Sequence, residues 1–228
     1  MSATGAVQRS DGRRLDAAGL ALAGLVNVIL APAAYSLLLK PGTPSSDAPL
    51  GERADWIVAH AARWQAGWSF WFVVTTTFAW SFFALARHLR RQPAWPALAV
   101  GLALLAAAVD IVGVVVNLAV LPALAHHGGT DAFQSAQVLA TALTDVTAFG
   151  LYTAAGLVLL PALARTARVL FWIGVAEWGV SAVATALLAF DAPGCRAAAA
   201  LSFLLFAPWA WLGARWVLAD GGEEASQG

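Results

Sequence analysis

Hydrophobic positions fall in long unbroken runs instead of alternating with polar ones. Six runs reach the ~20 residues that a helix needs to cross a bilayer core. They predict spanning helices at 16–39, 66–87, 95–124, 135–164, 168–190 and 197–217, each bounded by charge, proline or glycine. A β-barrel would alternate apolar and polar residues over ~10-residue strands. Val112–Val116 and Ala197–Leu205 do not alternate, so the expected class is all-α, a six-helix membrane bundle.

The longest polar interruption, 40–65, opens with Pro41-Gly42-Thr43-Pro44-Ser45-Ser46, a loop by composition. From Glu52 to Gln65 the pattern is amphipathic, with Trp56, Ile57, His60 and Trp64 on one side. Glu52, Asp55 and Arg63 are placed elsewhere. Such a helix lies in the membrane interface or caps the bundle, and the interface is the favoured reading. Pro-Ala-Leu-Ala recurs at Pro122–Ala125 and Pro161–Ala164, a match too cheap in an Ala/Leu-rich chain to mark an inverted repeat.

Composition agrees with the pattern. Of 228 residues, 60% are hydrophobic and 11% charged, with mean hydropathy +0.72. A soluble domain carries about 25% charge. Disorder, a nucleic-acid-binding face and a disulfide-stapled secreted domain are excluded on the same grounds. The one lysine, Lys40, ends the first run, which excludes a Schiff-base pigment. Cys195 stands alone, and four scattered histidines make no di-iron box. His126-His127 sit in a short outer turn and His88 in a basic inner turn where it is expected to be solvated. No metal site is expected. The chain lacks a phosphate loop, a Gly-x-Ser-x-Gly elbow, a His-Glu-x-x-His pair and an Asp-rich diphosphate motif, so no cofactor is expected.

Charge sets the threading. Arg9, Arg13, Arg14, Arg87, Arg90, Arg91, Arg165, Arg168 and Arg215 flank one side. Lys40, Arg53, Arg63 and Arg196 flank the other. Both termini are therefore expected in the cytoplasm, with tails at 1–15 and 218–228 around a 16–217 membrane domain. Arg13-Arg14 followed by Ala31-Pro32-Ala33 also fits a twin-arginine leader, but the run continues to Leu39, and an uncleaved first helix is the preferred reading.

Topology leaves three acids unexplained: Asp110, Asp145 and Glu177. A carboxylate at a helix centre costs at least ~2.5–3.5 kcal/mol to insert. At 1.5 Å per residue the two aspartates lie ~20–28 Å from the cytoplasmic edge and the glutamate ~12–14 Å. Asp110, Gly113 and Asn117 share one helix face. Thr141, Asp145, Ala148 and Tyr152 share a second, and Gly174, Glu177, Ser181 and Ala184 a third. Asn27 stands at mid-depth a turn before Pro32, and Thr75, Thr76 and Thr77 bring hydroxyls to the centre of the second helix. No Lys or Arg shares that depth, so the acids are expected to be neutral or held by hydroxyls, water or a cation. Bonding to Asn27, Asn117, Thr144 and Tyr152 would make them interhelical glue. A pocket or proton path is the functional alternative.

Of eleven tryptophans, Trp56, Trp64, Trp68, Trp95, Trp172, Trp209, Trp211 and Trp216 read as interfacial belt. Trp71, Trp80 and Trp178 read as deeper, with Trp178 flanking Glu177. With this layout the chain resembles the small six-helix bacterial membrane proteins grouped as domains of unknown function. The resemblance rests on Ala18-Gly19-Leu20 to Pro32, Arg87 to Arg91, and Arg168 to Gly174, and it carries no functional residues. Arginine over lysine suits a GC-rich bacterium and its inner membrane.

Three functions fit: a proton- or solute-linked binding or transport protein; an enzyme on an apolar lipid, with Asp145 or Glu177 donating a proton beside Trp71, Trp80 or Trp178; and an accessory subunit. The expected partners are the bilayer, a small-molecule or lipid ligand, and, for a transporter, a second copy in a homodimer.

Overall fold

A computed structural model describes residues 3–44, 46, 48–89, 94–127 and 129–226, without the side chains of 3–10 and 220–226. Arg90, Arg91 and Gly128, and the side chains of Arg9, Glu223 and Glu224, lie outside the described residues. No strand occurs among the described residues.

Six helices are long and apolar enough to cross a membrane, consistent with a multi-pass membrane protein. They are α1 (Asp11–Gly42), α3 (Ala61–Ala86), α4 (Ala94–His127), α5 (Thr130–Thr166), α6 (Arg168–Ala189) and α7 (Cys195–Ala219). Helix continues beyond both ends, from Ala3 into α1 and from α7 to Ser226, so the regions read as tails extend the terminal helices. A short helix, α2 (Leu50–Ala59), precedes α3.

Each spanning helix packs against the helix before and after it, and α7 packs back against α1. The result is a closed ring. Its middle is filled by Phe78, Phe82, Tyr152, Trp178, Phe206 and Trp209, whose rings stack or meet edge-on at 4.4–6.4 Å. Small residues let the helices approach. A Cβ on Gly156 would collide with the Trp178 ring, and one on Gly113 with Thr144.

The amphipathic segment differs from its expected form. His60 leaves helical geometry at φ −123°, ψ 35° and separates α2 from α3. Its ring stacks on Trp56 at 4.7 Å, and its Nδ1 lies 3.0 Å from the Trp56 carbonyl. α2 packs on the C-terminal end of α4 and the N-terminal end of α5, with Ile57 fully buried. It caps one end of the bundle.

Several belt tryptophans are core residues. Trp64, Trp68 and Trp209 are buried, whereas Trp95, Trp172 and Trp211 remain exposed. Trp80, read as deep, is exposed on the outside of α3. Position along a helix measures depth; it does not say which way round the helix a ring points.

α1, α4 and α5 are not uniformly α-helical. π-turns interrupt them at Val26–Leu30 and Tyr35–Leu39 in α1, Val116–Val120 in α4, and Ala142–Ala148 in α5. The Val26–Leu30 and Val116–Val120 turns each end two residues before a proline, Pro32 or Pro122. Proline has no N–H and crowds the carbonyl one turn earlier, and widening that turn relieves the clash. Asn27 Nδ2 donates to Ala23 O and Asn117 Nδ2 to Gly113 O, both at 2.9 Å, so an amide side chain serves the loosened ladder at each place.

Candidate functional site

α4 and α5 form the antiparallel pair that carries the two aspartates. Gly113 meets Thr144 and Leu143 across their interface. This puts Asp110 and Asp145 within a few residues of the same level, and within electrostatic reach of one another.

Asp110 is 6% exposed. Its Oδ2 accepts a hydrogen bond from the Thr75 hydroxyl on α3. Tyr152 Oη on α5 donates to the Thr75 carbonyl at 3.4 Å. Three helices therefore meet at Thr75, which serves Asp110 with its side chain and Tyr152 with its backbone.

Asp145 differs from the sequence reading in three ways. First, the expected face of Thr141, Asp145, Ala148 and Tyr152 is broken. The π-turn puts about one extra residue into the turn, so Ala140, Thr144, Ala148 and Tyr152 point inward. Thr141 is half-buried and Asp145 is exposed.

Second, the level of Asp145 is set by the short neighbour α6. Leu160 faces Gly174, Gly156 faces Trp178, and Thr153 lies 3.4 Å from Thr185. The same register carried outward brings Asp145 level with the last residues of α6, about Ala189. With 22 residues α6 is ~33 Å long, against ~55 Å for the 37 residues of α5. Asp145 thus stands where the α6–α7 hairpin ends.

Third, a cation is close. Arg196, in the first turn of α7, acts electrostatically on Asp145. The expectation of acids with no arginine at their level therefore fails for this one. Thr144 Oγ1 lies 3.0 Å from Asp145 Oδ1 and 2.9 Å from the Ala140 carbonyl, which share its single proton.

Glu177 is apart from the pair, 1% exposed on the face of α6 that also carries Gly174, Ser181 and Ala184, all buried. Ser181 Oγ donates to its Oε1 at 3.2 Å, and its Oε2 has no protein partner. Trp178 points into the central aromatic cluster, and its indole nitrogen is also unpartnered.

The asparagines do not bond to the acids. Asn27 Nδ2 reaches Thr77 Oγ1 at 3.3 Å, and the Asn117 carbonyl accepts from Trp64 Nε1 at 2.7 Å. Among the described residues, no group of three or more His, Cys, Asp or Glu is gathered as a metal-binding cluster.

Sequence reasoning missed a cluster at the end of the bundle away from α2. Asp16, 1% exposed at the start of α1, accepts from Arg87 at 3.3 Å and pairs with His88 at 3.0 Å. His88 is mostly buried and is not the solvated residue expected. Asp16 is the first residue of the predicted first span and passes there as a flanking charge; only a count of inward positions along α1 would have flagged it. Gln137 was also missed. It is buried and donates to the Gly42 carbonyl at 3.0 Å, tying α5 to the C-terminal end of α1.

A scan of family models, a search of curated proteins and a search of solved structures each return no match to this chain. The chemistry of its own residues therefore carries the functional reading.

Proposed function

We propose that this is a bacterial inner-membrane protein, with both termini in the cytoplasm, that binds a small polar or cationic solute or a proton at Asp110 and Asp145. Binding at that pair would serve transport across the bundle. One observation carries the reading: two acids on adjacent helices, buried Asp110 and the surface-lying Asp145, come within a few residues of the same level inside the apolar spans. Acids placed this way within a membrane bundle are a functional feature by default.

The lipid-enzyme reading has less support. Trp71 stands in an outer ladder with Trp68, Trp80 is exposed on the outside of α3, and Trp178 is enclosed by other rings. No shared aromatic wall exists among them. The accessory-subunit reading has one specific observation in its favour: each acid accepts a hydroxyl hydrogen bond, from Thr75, Thr144 or Ser181.

Proteoliposomes separate these readings. Proton and monovalent-cation flux is measured for the native chain, Asp110→Asn and Asp145→Asn, with thermal unfolding in detergent as the folding control. The binding reading expects at least a tenfold loss of flux in both variants with Tm nearly unchanged. Full flux in both variants sinks it. A fall in Tm with flux unaltered assigns the acids to packing.

A further inference from the structure

Where α3 ends and α4 begins, at the end of the bundle away from α2, the surface holds an open groove of about 600 Å³. That volume lies within the ~300–1,000 Å³ range of small-ligand sites. Phe83 and Ala86 line it from α3, Arg87 and Leu89 from the residues just beyond, and Pro96, Ala97 and Val100 from α4. Leu89 and Pro96 are buried, whereas Phe83, Arg87 and Ala97 are exposed. Small side chains at Ala86 and Ala97 leave the space open between the two helices.

Every lining residue named is apolar except Arg87. Two contacts fix its guanidinium. Nη1 donates to Asp16 Oδ1 at 3.3 Å, and the guanidinium carbon lies 5.7 Å from the centre of the Phe83 ring. The side chain is nevertheless 50% exposed. A guanidinium carries five N–H donors in a fork that matches phosphate oxygens, so one arginine can serve a carboxylate and a phosphate together.

The charge around the groove favours an anion. Between Asp55 and Asp110 the chain has no acid, and the turn from α3 to α4 carries Arg87, Arg90 and Arg91. Asp16 reaches the groove from α1 and is shared with His88, at 3.0 Å.

The groove also sits at a distinctive depth. Arg87 directly follows the apolar stretch of α3, and Trp95, 44% exposed, directly precedes Pro96. Arginine at a helix end and exposed tryptophan mark the border between hydrocarbon and headgroups. Basic pockets between spanning helices at that border hold anionic lipid headgroups. A soluble anion has no use for the apolar walls, and a neutral lipid has none for the excess of arginine.

We propose that this groove binds an anionic phospholipid, with an acyl chain against Phe83, Ala97 and Val100 and the phosphate on the Arg87 guanidinium. Asp16 is then a positioning residue that holds the guanidinium at the rim. The site stands apart from the Asp110–Asp145 pair, since Asp110 lies ten residues beyond Val100 along α4.

The test is native mass spectrometry of the intact chain in detergent, titrated with phosphatidylglycerol or phosphatidylcholine of the same acyl chains. One arginine at a membrane surface gives about a fivefold preference for the anionic lipid, and that preference is expected here. Arg87→Gln should abolish it. Ala97→Phe, which fills the groove from an exposed position and leaves the Asp16 pair in place, should weaken binding of phosphatidylglycerol at least as much. The double variant should lose no more than the more affected single variant, because one lipid occupies both positions. Equal binding of the two lipids by the native chain overturns the proposal, as does a preference unchanged in Arg87→Gln or losses that add in the double variant. Displacement of phosphatidylglycerol by an equal concentration of inorganic phosphate would make the ligand a free anion and refutes the lipid. If Arg87→Gln does not fold, Ala97→Phe decides alone: a preference that survives a filled groove refutes the site.

Discussion

Thr75 is the residue on which the upper polar layer turns. Its hydroxyl holds Asp110 and its carbonyl receives Tyr152, so one position joins α3 to α4 and α5. Thr75→Val keeps the shape and the carbonyl but leaves Asp110 Oδ2 without its donor. The expected cost is about 1–3 kcal/mol of stability, read as a lower Tm in detergent, with Thr75→Ser recovering most of it. Equal melting of the valine and serine variants would show that the hydroxyl contributes nothing. The importance of Thr75 was only partly visible in the chain. Three consecutive threonines announce hydroxyls at mid-helix, but choosing among them needs the azimuth of α3. Thr75 turns inward, while Thr77 turns to Asn27 and to the carbonyls of Val73 and Val74. The acids themselves were legible because charge in an apolar run costs so much. Thr144 and Ser181, on the same helices as their acids, were legible too; Thr75, the partner of Asp110, was not singled out because it belongs to another helix.

Among elements, the π-turns separate what periodicity predicts from what the backbone does. Helix ends were readable to within a few residues, since hydropathy and flanking arginines act over long windows. The faces of α4 and α6 also follow from simple spacing: Asp110, Gly113 and Asn117 are all buried, as are Gly174, Glu177 and Ser181. The face of α5 does not, because Ala142–Ala148 inserts its extra residue between Thr141 and Tyr152. Hydroxyls at Thr144 and Thr147 take the Ala140 and Ala142 carbonyls there, competing with the helix ladder. In α4 the cause is Pro122. Replacing it with alanine, the better helix former, removes the reason for the wide turn and rotates Asn117 relative to the residues beyond it. Trp64 then loses its acceptor. Pro122→Ala is expected to lower Tm and shift tryptophan fluorescence to the red. Pro161→Ala and Pro208→Ala, in stretches of α5 and α7 without a π-turn, should leave Tm unchanged or raise it. A rise in Tm for Pro122→Ala would count against this account.

For the whole molecule, threading and closure of the ring are the testable features. Cys195, the sole cysteine, begins α7 and is half-buried at the end of the bundle opposite Asp16. If both termini are cytoplasmic, a membrane-impermeant maleimide added to intact cells labels it without any engineered site. Labelling only after lysis would reverse the threading. At the other end, Asp16 joins α1 to the inner end of α3 through Arg87 and His88, across 71 and 72 positions of sequence. A pairing so remote leaves no local pattern, which is why Arg87 and His88 read as a basic turn and Asp16 drew no notice. Asp16→Asn is expected to cost about 1–3 kcal/mol in detergent unfolding while leaving any flux at Asp110 and Asp145 intact. A flux loss as large as that of Asp145→Asn would instead connect the inner clamp to the outer acids.

The ring has a consequence for how the molecule is made. Five of its six helix–helix seams join neighbours in sequence, so each helix leaving the ribosome finds its partner already in place. The sixth, between α1 and α7, must wait until α7 has been made. Until then the flanks of α1 face lipid, and the aromatic centre lacks the Phe206 and Trp209 that α7 supplies. Assembly therefore ends with a single late closure, and a chain stalled before α7 is an open arc with an unfinished core, the form most exposed to membrane quality control.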